Sequence, residues 1–264
     1  MTQFEHDEVS NNLSNIFSMQ RGRKANDESH QTWFAQFRLG FPKVCRFIGY
    51  CITLKHADQT FLQHELEMSS TTVVDWKNFC RELLLMWLNQ EESMIDGPGC
   101  IVEIDEAKIG KRKYNRGRIV KGQWVFGAFE RESKRTFIVP VNDRSELTLL
   151  NRIHRRIAPG TTIYSDCWRA YSNLKNEGFN HFMVNHSENF VYAIIEVHTQ
   201  NIERLWRDMR GGIPRYGTRE EHYNYYIAEF MFKRIYNYSE RIDQFFTIMS
   251  KLYPLVNNRI IESE

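Results

Sequence analysis

Apolar positions change their period once along the chain, and the change divides it. Through residues 33–88 they recur at three- and four-residue steps, the spacing of helices that bury one face. Residues 58–67 read as one helix and 70–88 as a second, with Val73, Trp76, Cys80, Leu83, Leu84 and Trp87 forming a single stripe. Ser69 or Ser70 is suited to cap the second helix. Gly97-Pro98-Gly99 then breaks the pattern, and short apolar runs follow. Residues 101–105, 124–130 and 136–141 read as three strands, the last two joined by the polar turn Arg131-Glu132-Ser133-Lys134. Residues 145–157 return to helical spacing, with Leu147, Leu150 and Ile153 inward, and Pro159-Gly160 stops them. A strand at 162–164 leads into Asp166, residues 167–177 read as a helix ended by Gly178, and 182–184 as a fifth strand. Residues 199–210 form a helix closed by Gly211-Gly212. After Pro214 comes an aromatic helix carrying Tyr223, Tyr226, Ile227, Phe230, Met231 and Ile235, a stripe that reads as core.

The order βββαβαβα is that of a ribonuclease-H-like fold, an α/β mixed sheet flanked by helices, here preceded by a small helical region. Four segments follow: an arm at 1–30, helices at 31–97, the ribonuclease-H-like domain at 98–215, and C-terminal helices at 216–264 packed on the core. Two helices joined by a short turn, the second opening Ser-Ser-Thr-Thr, suit either a helix-turn-helix that presents its N-terminal side chains to DNA or a plain helical hairpin.

With 264 residues, 42% hydrophobic and 26% charged, the chain has the composition of an ordinary globular protein rather than a disordered one. No apolar run approaches the length of a membrane span, and the acidic N-terminus does not read as a signal peptide. Five cysteines without a C-x-x-C pair read as reduced thiols of an intracellular protein, in the nucleus of a eukaryote or the nucleoid of a bacterium. A net charge of +2 is uninformative, but its distribution is not. Lys108, Lys111, Arg112, Lys113, Arg116, Arg118 and Lys121 follow one another without an intervening acid, and Arg204, Arg207, Arg210, Arg215 and Arg219 follow Glu203 against a single further acid, Asp208. Such stripes suit a polyanion.

Both stripes adjoin acids. Asp105 closes Ile-Val-Glu-Ile-Asp, Asp166 closes Ile-Tyr-Ser-Asp, and Glu203 lies on the helix that begins near Thr199. In the fold that the element order implies, two strand-end aspartates and a helical glutamate converge. Two like charges about 4 Å apart repel by roughly 4 kcal/mol at an effective dielectric near 20. A pair of Mg²⁺ or Mn²⁺ ions held by Asp105, Asp166 and Glu203 would remove that cost and supply a Lewis acid for phosphoryl transfer. Glu203 shares a helix face with Arg207 and Arg210, whose guanidinium groups suit flanking phosphates. His198 either touches DNA or orients the helix entry, and Trp206 reads as core.

Several strings carry a resemblance. Residues 105–118, beginning Asp105-Glu106-Ala107-Lys108, resemble the start of the catalytic domain in Merlin-type DDE transposases and their bacterial insertion-sequence relatives of the ISXO type. So do Gln123-Trp124-Val125-Phe126-Gly127, residues 159–166 (Pro-Gly-Thr-Thr-Ile-Tyr-Ser-Asp), Val184-Asn185-His186-Ser187 and His198-Thr199-Gln200-Asn201-Ile202-Glu203. The resemblance spans roughly residues 100–235. It implies a cut-and-paste transposase with Asp105, Asp166 and Glu203 as catalytic metal ligands, acting on double-stranded DNA (terminal inverted repeats and target) as a homo-oligomer. Arg210 stands where relatives commonly carry lysine, and residues 192–197 lack the glycine-bearing turn expected before His198. A domesticated, catalytically reduced DNA-binding protein is the alternative.

Overall fold

The computed structural model describes residues 39–91, 93–95, 97–110, 122–184, 197–214, 218 and 222–253. The chain divides into two compact units, one running to Leu88 and resuming at Phe232, the other Asn89–Met231. These divisions differ from the 97/98 and 215/216 boundaries that the sequence pattern suggests.

The first unit is helical. It holds α1 (Phe41–Thr53), α2 (Gln59–Leu66) and α3 (Ser70–Gln90, to Leu88) before the second unit, and α7 (Arg241–Leu252) after it. Asp58 caps α2 by accepting from the Thr60 and Phe61 amides, and Glu67 ends it in a left-handed conformation at φ 48°. Ser69 Oγ accepts from Thr72 N at 3.1 Å, capping α3 as its position suggests. The expected stripe of α3 is buried in full: Val73, Trp76, Cys80, Leu83, Leu84 and Trp87. Edge-to-face ring pairs join Phe47 to Trp76, Trp87 to Phe232 and Phe232 to Phe245. The helix α6 (Tyr223–Ile235) begins in the second unit and passes into the first. It buries Tyr223, Ile227, Ala228, Met231 and Phe232, while Ile235, expected on that stripe, is exposed.

The second unit is built on a mixed five-stranded sheet, compatible with a ribonuclease-H-like fold. Its strands are β1 (Ile101–Ile109), β2 (Gln123–Glu130), β3 (Thr136–Val141), β4 (Thr162–Asp166) and β5 (Asn180–Val184), in the order β3-β2-β1-β4-β5. The first three pair antiparallel, whereas β4 runs parallel to β1 and β5 parallel to β4. Alternation along β1 sends Val102 and Ile104 to one face, where they join Phe126, Ala128, Phe137, Ile163 and Tyr171 in the core. Helix α4 (Glu146–Arg156), capped by Ser145, covers that face. Helix α5 (Gln200–Gly212) packs on the other, burying Ile202, Leu205, Trp206 and Met209 at helical spacing.

Three expectations need correction. β1 continues four residues beyond Asp105, paired with β2 as far as Ile109 opposite Gln123. In α4 the inward positions are Leu149 and Ile153, with Leu150 only partly buried, and Leu147 is 73% exposed. A stripe that starts at Leu147 is half a turn off, because Leu147, Leu149 and Leu150 offer two competing faces. Residues 167–177 are not a helix. Only Arg169–Tyr171 form a 3-10 turn, and amides at Tyr171, Ser172, Leu174 and Asn176 each bond three residues back. Ser172, Asn173 and Asn176 favour such turns because their side chains compete with helical backbone bonding.

Among the described residues no helix is long and apolar enough to cross a membrane. Cys45, Cys51 and Cys80 are buried, and burial pushes the Cys45 thiol up to about 12.

Candidate active site

Register brings the first two acids together. Glu103 stands opposite Tyr164 in the parallel ladder, so two further residues on each strand bring Asp105 level with Asp166. Both lie on the face that carries α5, because side chains two apart along a strand share a side. Asp166 is the last residue of β4, and its Oδ1 accepts from the Trp168 amide at 3.0 Å. Glu203 lies in the first turn of α5 and is exposed.

Asp105 is half-buried, and its neighbours define it. Its Oδ2 accepts from Trp206 Nε1 at 2.9 Å. Trp206 reaches that position because Gly127 stands opposite Asp105 on β2. A Cβ at Gly127 would lie 2.5 Å from the Trp206 ring. Desolvation, above all, pushes the Asp105 carboxyl up to about 6. The Trp206 and Glu106 donors pull it down, and the charges of Asp166 and Glu203 push it further up. On the opposite face Glu106 is pushed up to about 7, first by desolvation and then by the charges of Asp105 and Asp166, against the Tyr171 hydroxyl that donates to it. The acids are thus near enough to act on one another. They do not form a ready chelate: among the described residues no three His, Cys, Asp or Glu side chains are grouped so as to hold a metal ion. The donor set itself suits a hard divalent cation, since carboxylate oxygens held against desolvation and mutual repulsion gain from a cation between them.

Sequence reasoning passes over Glu103, which is fully buried. Its oxygens meet a cluster of donors. Oε1 accepts from Arg131 Nε and Asn201 Nδ2, both at 2.8 Å, and Oε2 from the backbone amides of Asn201 at 2.9 Å and Ile202 at 3.1 Å. Those two amides are orphan donors of the first turn of α5, where Thr199 provides no side-chain cap. A carboxylate from β1 therefore caps the helix that carries Glu203, two residues along the strand from Asp105. Arg131 also donates to His198 O at 2.7 Å and lies over the Tyr164 ring, 4.6 Å from its centre.

The remaining expected residues are distributed as follows. Lys108 is half-buried near the end of β1, with its ammonium 5.4 Å from the centre of the Trp124 ring. Arg207 and Arg210 are exposed on α5 with Glu203. His198 accepts from Gln200 N at 3.4 Å and lies 3.6 Å from Glu103, a contact at the helix entry. Lys111, Arg112, Lys113, Arg116 and Arg118 lie outside the described residues.

A family model described as the ISXO2-like transposase domain matches residues 95–234, more than half of the chain and the whole candidate site. The chain belongs to this transposase family. It is also 28% identical over 96 residues to an uncharacterized transposase-like protein of Haemophilus influenzae, a match covering 36% of this chain and 76% of that protein. Asp105, Asp166 and Glu203 all fall inside the segment matched by the ISXO2-like model.

Proposed function

We propose that this chain is a DDE transposase of ribonuclease-H-like fold, which cleaves and joins DNA at transposon ends by metal-assisted phosphoryl transfer. The observation that carries the reading is the parallel register of β1 and β4, which pairs Glu103 with Tyr164 and, continued by two residues, sets Asp105 beside Asp166 on the face covered by the helix that bears Glu203. The strings around these acids support the narrower Merlin-type affinity. Asp105, Asp166 and Glu203 are the residues that would hold two Mg²⁺ or Mn²⁺ ions, which when bound supply Lewis-acid stabilisation of charge building on the phosphodiester.

The chain's own groups do the rest. Trp206 orients Asp105 through its indole N–H, and Glu103 fixes the start of the Glu203 helix. Arg207 and Arg210 present exposed guanidinium groups beside Glu203, suited to phosphates flanking the scissile bond. Lys108, Lys111, Arg112, Lys113, Arg116 and Arg118 supply the sequence-independent attraction to the DNA backbone, and His198 stands at the same helix entry. The α2–α3 pair serves end recognition, and two DNA ends require at least a dimer on double-stranded DNA.

A second reading, a catalytically reduced DNA-binding descendant, is favoured by one observation: the three acids are not grouped as a chelate. One pair of measurements separates the two. An active transposase gains thermal stability from Mg²⁺ or Mn²⁺ and nicks duplexes carrying candidate repeat ends, and Asp105→Asn abolishes nicking while DNA binding persists. Nicking retained by Asp105→Asn would remove Asp105 from the site. DNA binding with neither metal stabilisation nor nicking would establish the second reading.

A further inference from the structure

Two residues past Asp166, the Trp168 ring is 37% exposed and carries a stacked cation. The Arg144 guanidinium lies between two indoles, its carbon 4.3 Å from the ring centres of both Trp124 and Trp168. Trp168 Nε1 donates to Arg144 O at 3.4 Å and closes the pair. Lys108 adds a second cation over Trp124. The guanidinium has five N–H donors in a fixed plane. Among the described residues none of them has a hydrogen-bond acceptor, although Glu106 lies near enough for its charge to be felt. Arg144 is thus held in orientation by two ring faces while its donor edge remains unspent.

Packing alone explains the Trp124–Arg144 half of this arrangement, which borders the core. It does not explain a large indole left exposed at the strand end, tied through its own amide to a candidate catalytic carboxylate. An immobilised donor fork matches phosphate oxygens, and an exposed indole beside it matches a base face. We infer that Trp168 and Arg144 form a nucleotide subsite for one unpaired nucleotide of the DNA strand next to the scissile phosphate. The base stacks on Trp168, and its phosphate takes the Arg144 donors. The inference rests on the DNA-cleaving reading above and extends it, because a duplex end must fray by a nucleotide to fill the site.

The test uses the full chain and two fluorescently labelled duplexes of one sequence, one blunt and one with a three-nucleotide single-stranded flank, at about 0.15 M salt. A 2-aminopurine in the flank reports stacking. Wild type is expected to bind the flanked duplex at least about fivefold more tightly and to quench the 2-aminopurine. Trp168→Leu should bind the blunt duplex as wild type does and lose both the preference and the quench. Trp168→Phe should recover part of each. Thermal melts of the three proteins check that exposed position 168 does not govern folding. An unchanged preference in Trp168→Leu overturns the subsite, as does a wild type that binds both duplexes equally. Failure of wild type to bind either duplex overturns the DNA reading itself and the subsite with it.

Discussion

Replacing Glu103 by glutamine changes one oxygen to NH₂ and leaves volume and reach intact. Each carboxylate oxygen accepts from two donors, so either orientation of the new amide turns its nitrogen toward two N–H groups. In one orientation these are the first-turn amides of α5; in the other, Arg131 Nε and Asn201 Nδ2. Each buried donor deprived of its acceptor costs about 1–3 kcal/mol, so with two donors affected Glu103→Gln should destabilise the Asn89–Met231 unit by about 2–6 kcal/mol. Glu103→Ala removes the buried carboxylate that pairs with Arg131, whose side chain is only 16% exposed. Loss of one partner from a buried ion pair costs about 3–5 kcal/mol. Partial exposure of Arg131 sets the expectation near the lower end.

Urea unfolding measures this directly: the midpoint should fall while the slope stays constant. In a thermal melt, about 3 kcal/mol corresponds to a drop of about 10 °C for a unit of this size. Positioning has a separate signature in hydrogen exchange. The Asn201 and Ile202 amides should exchange faster in Glu103→Gln by far more than amides in the centre of β2. If Glu103→Gln stays within about 0.5 kcal/mol of wild type, with exchange at both amides unaltered, Glu103 does not hold the helix and the positioning argument fails.

Other consequences follow from the same contacts. At pH 8 without metal, ionised Asp105 opposes folding, because its folded-state value near 6 lies above the ordinary carboxylate range. Asp105→Asn should therefore raise metal-free stability by about 1–3 kcal/mol, and the difference should shrink as pH falls from about 6 toward 4; a less stable variant at pH 8 would contradict the burial argument. His181 is buried against Ser165, and burial followed by the Lys175 charge pushes it down to about 4. The unfolded chain takes up that proton near pH 6.5, so wild type should lose up to about 3 kcal/mol between pH 6.5 and 4, and His181→Gln should flatten that limb of a pH–stability curve. Gly127→Ala forces a Cβ to within 2.5 Å of the Trp206 ring; a loss of about 1–3 kcal/mol in urea is expected, and a neutral result would mean that the indole is free to shift. Alanine at Lys111, Arg112 and Lys113 together should weaken DNA binding across sequences and flatten its salt dependence; an unchanged salt slope would remove this cluster from the interface.

Period and punctuation make the strands legible in the amino-acid sequence. β3 is bounded to the residue, since Thr136 and Val141 are flanked by polar turns. β1 reads as ending at Asp105 because Asp105, Glu106 and Lys108 look like the close of an apolar run. The ladder to β2 holds them in strand all the same, a tertiary pairing that outweighs local polarity. The turn at 169–171 departs from expectation for the opposite reason. Its apolar residues Ala170, Tyr171 and Leu174 have helical spacing, but they are buried from a chain of three-residue turns.

Glu103 shows the limit of reading acids by position. Asp105 and Asp166 stand out because they end apolar runs, as charge at a site does. Glu103 lies inside such a run, between Val102 and Ile104, and belongs to the same face as Asp105 by alternation alone. A carboxylate within a buried strand is expensive unless several donors meet it, so its presence implies a donor cluster on the Asp105 face. Which donors those are depends on where α5 lands, and that is set by packing: Ile202 and Trp206 settle over Gly127, the one position on β2 without a side chain to repel them. The same glycine therefore lets the helix that carries Glu203 seat close enough for the Trp206 indole to reach the Asp105 carboxylate. The candidate site is less a set of three acids than a strand, a gap in its neighbour, and a helix seated by both.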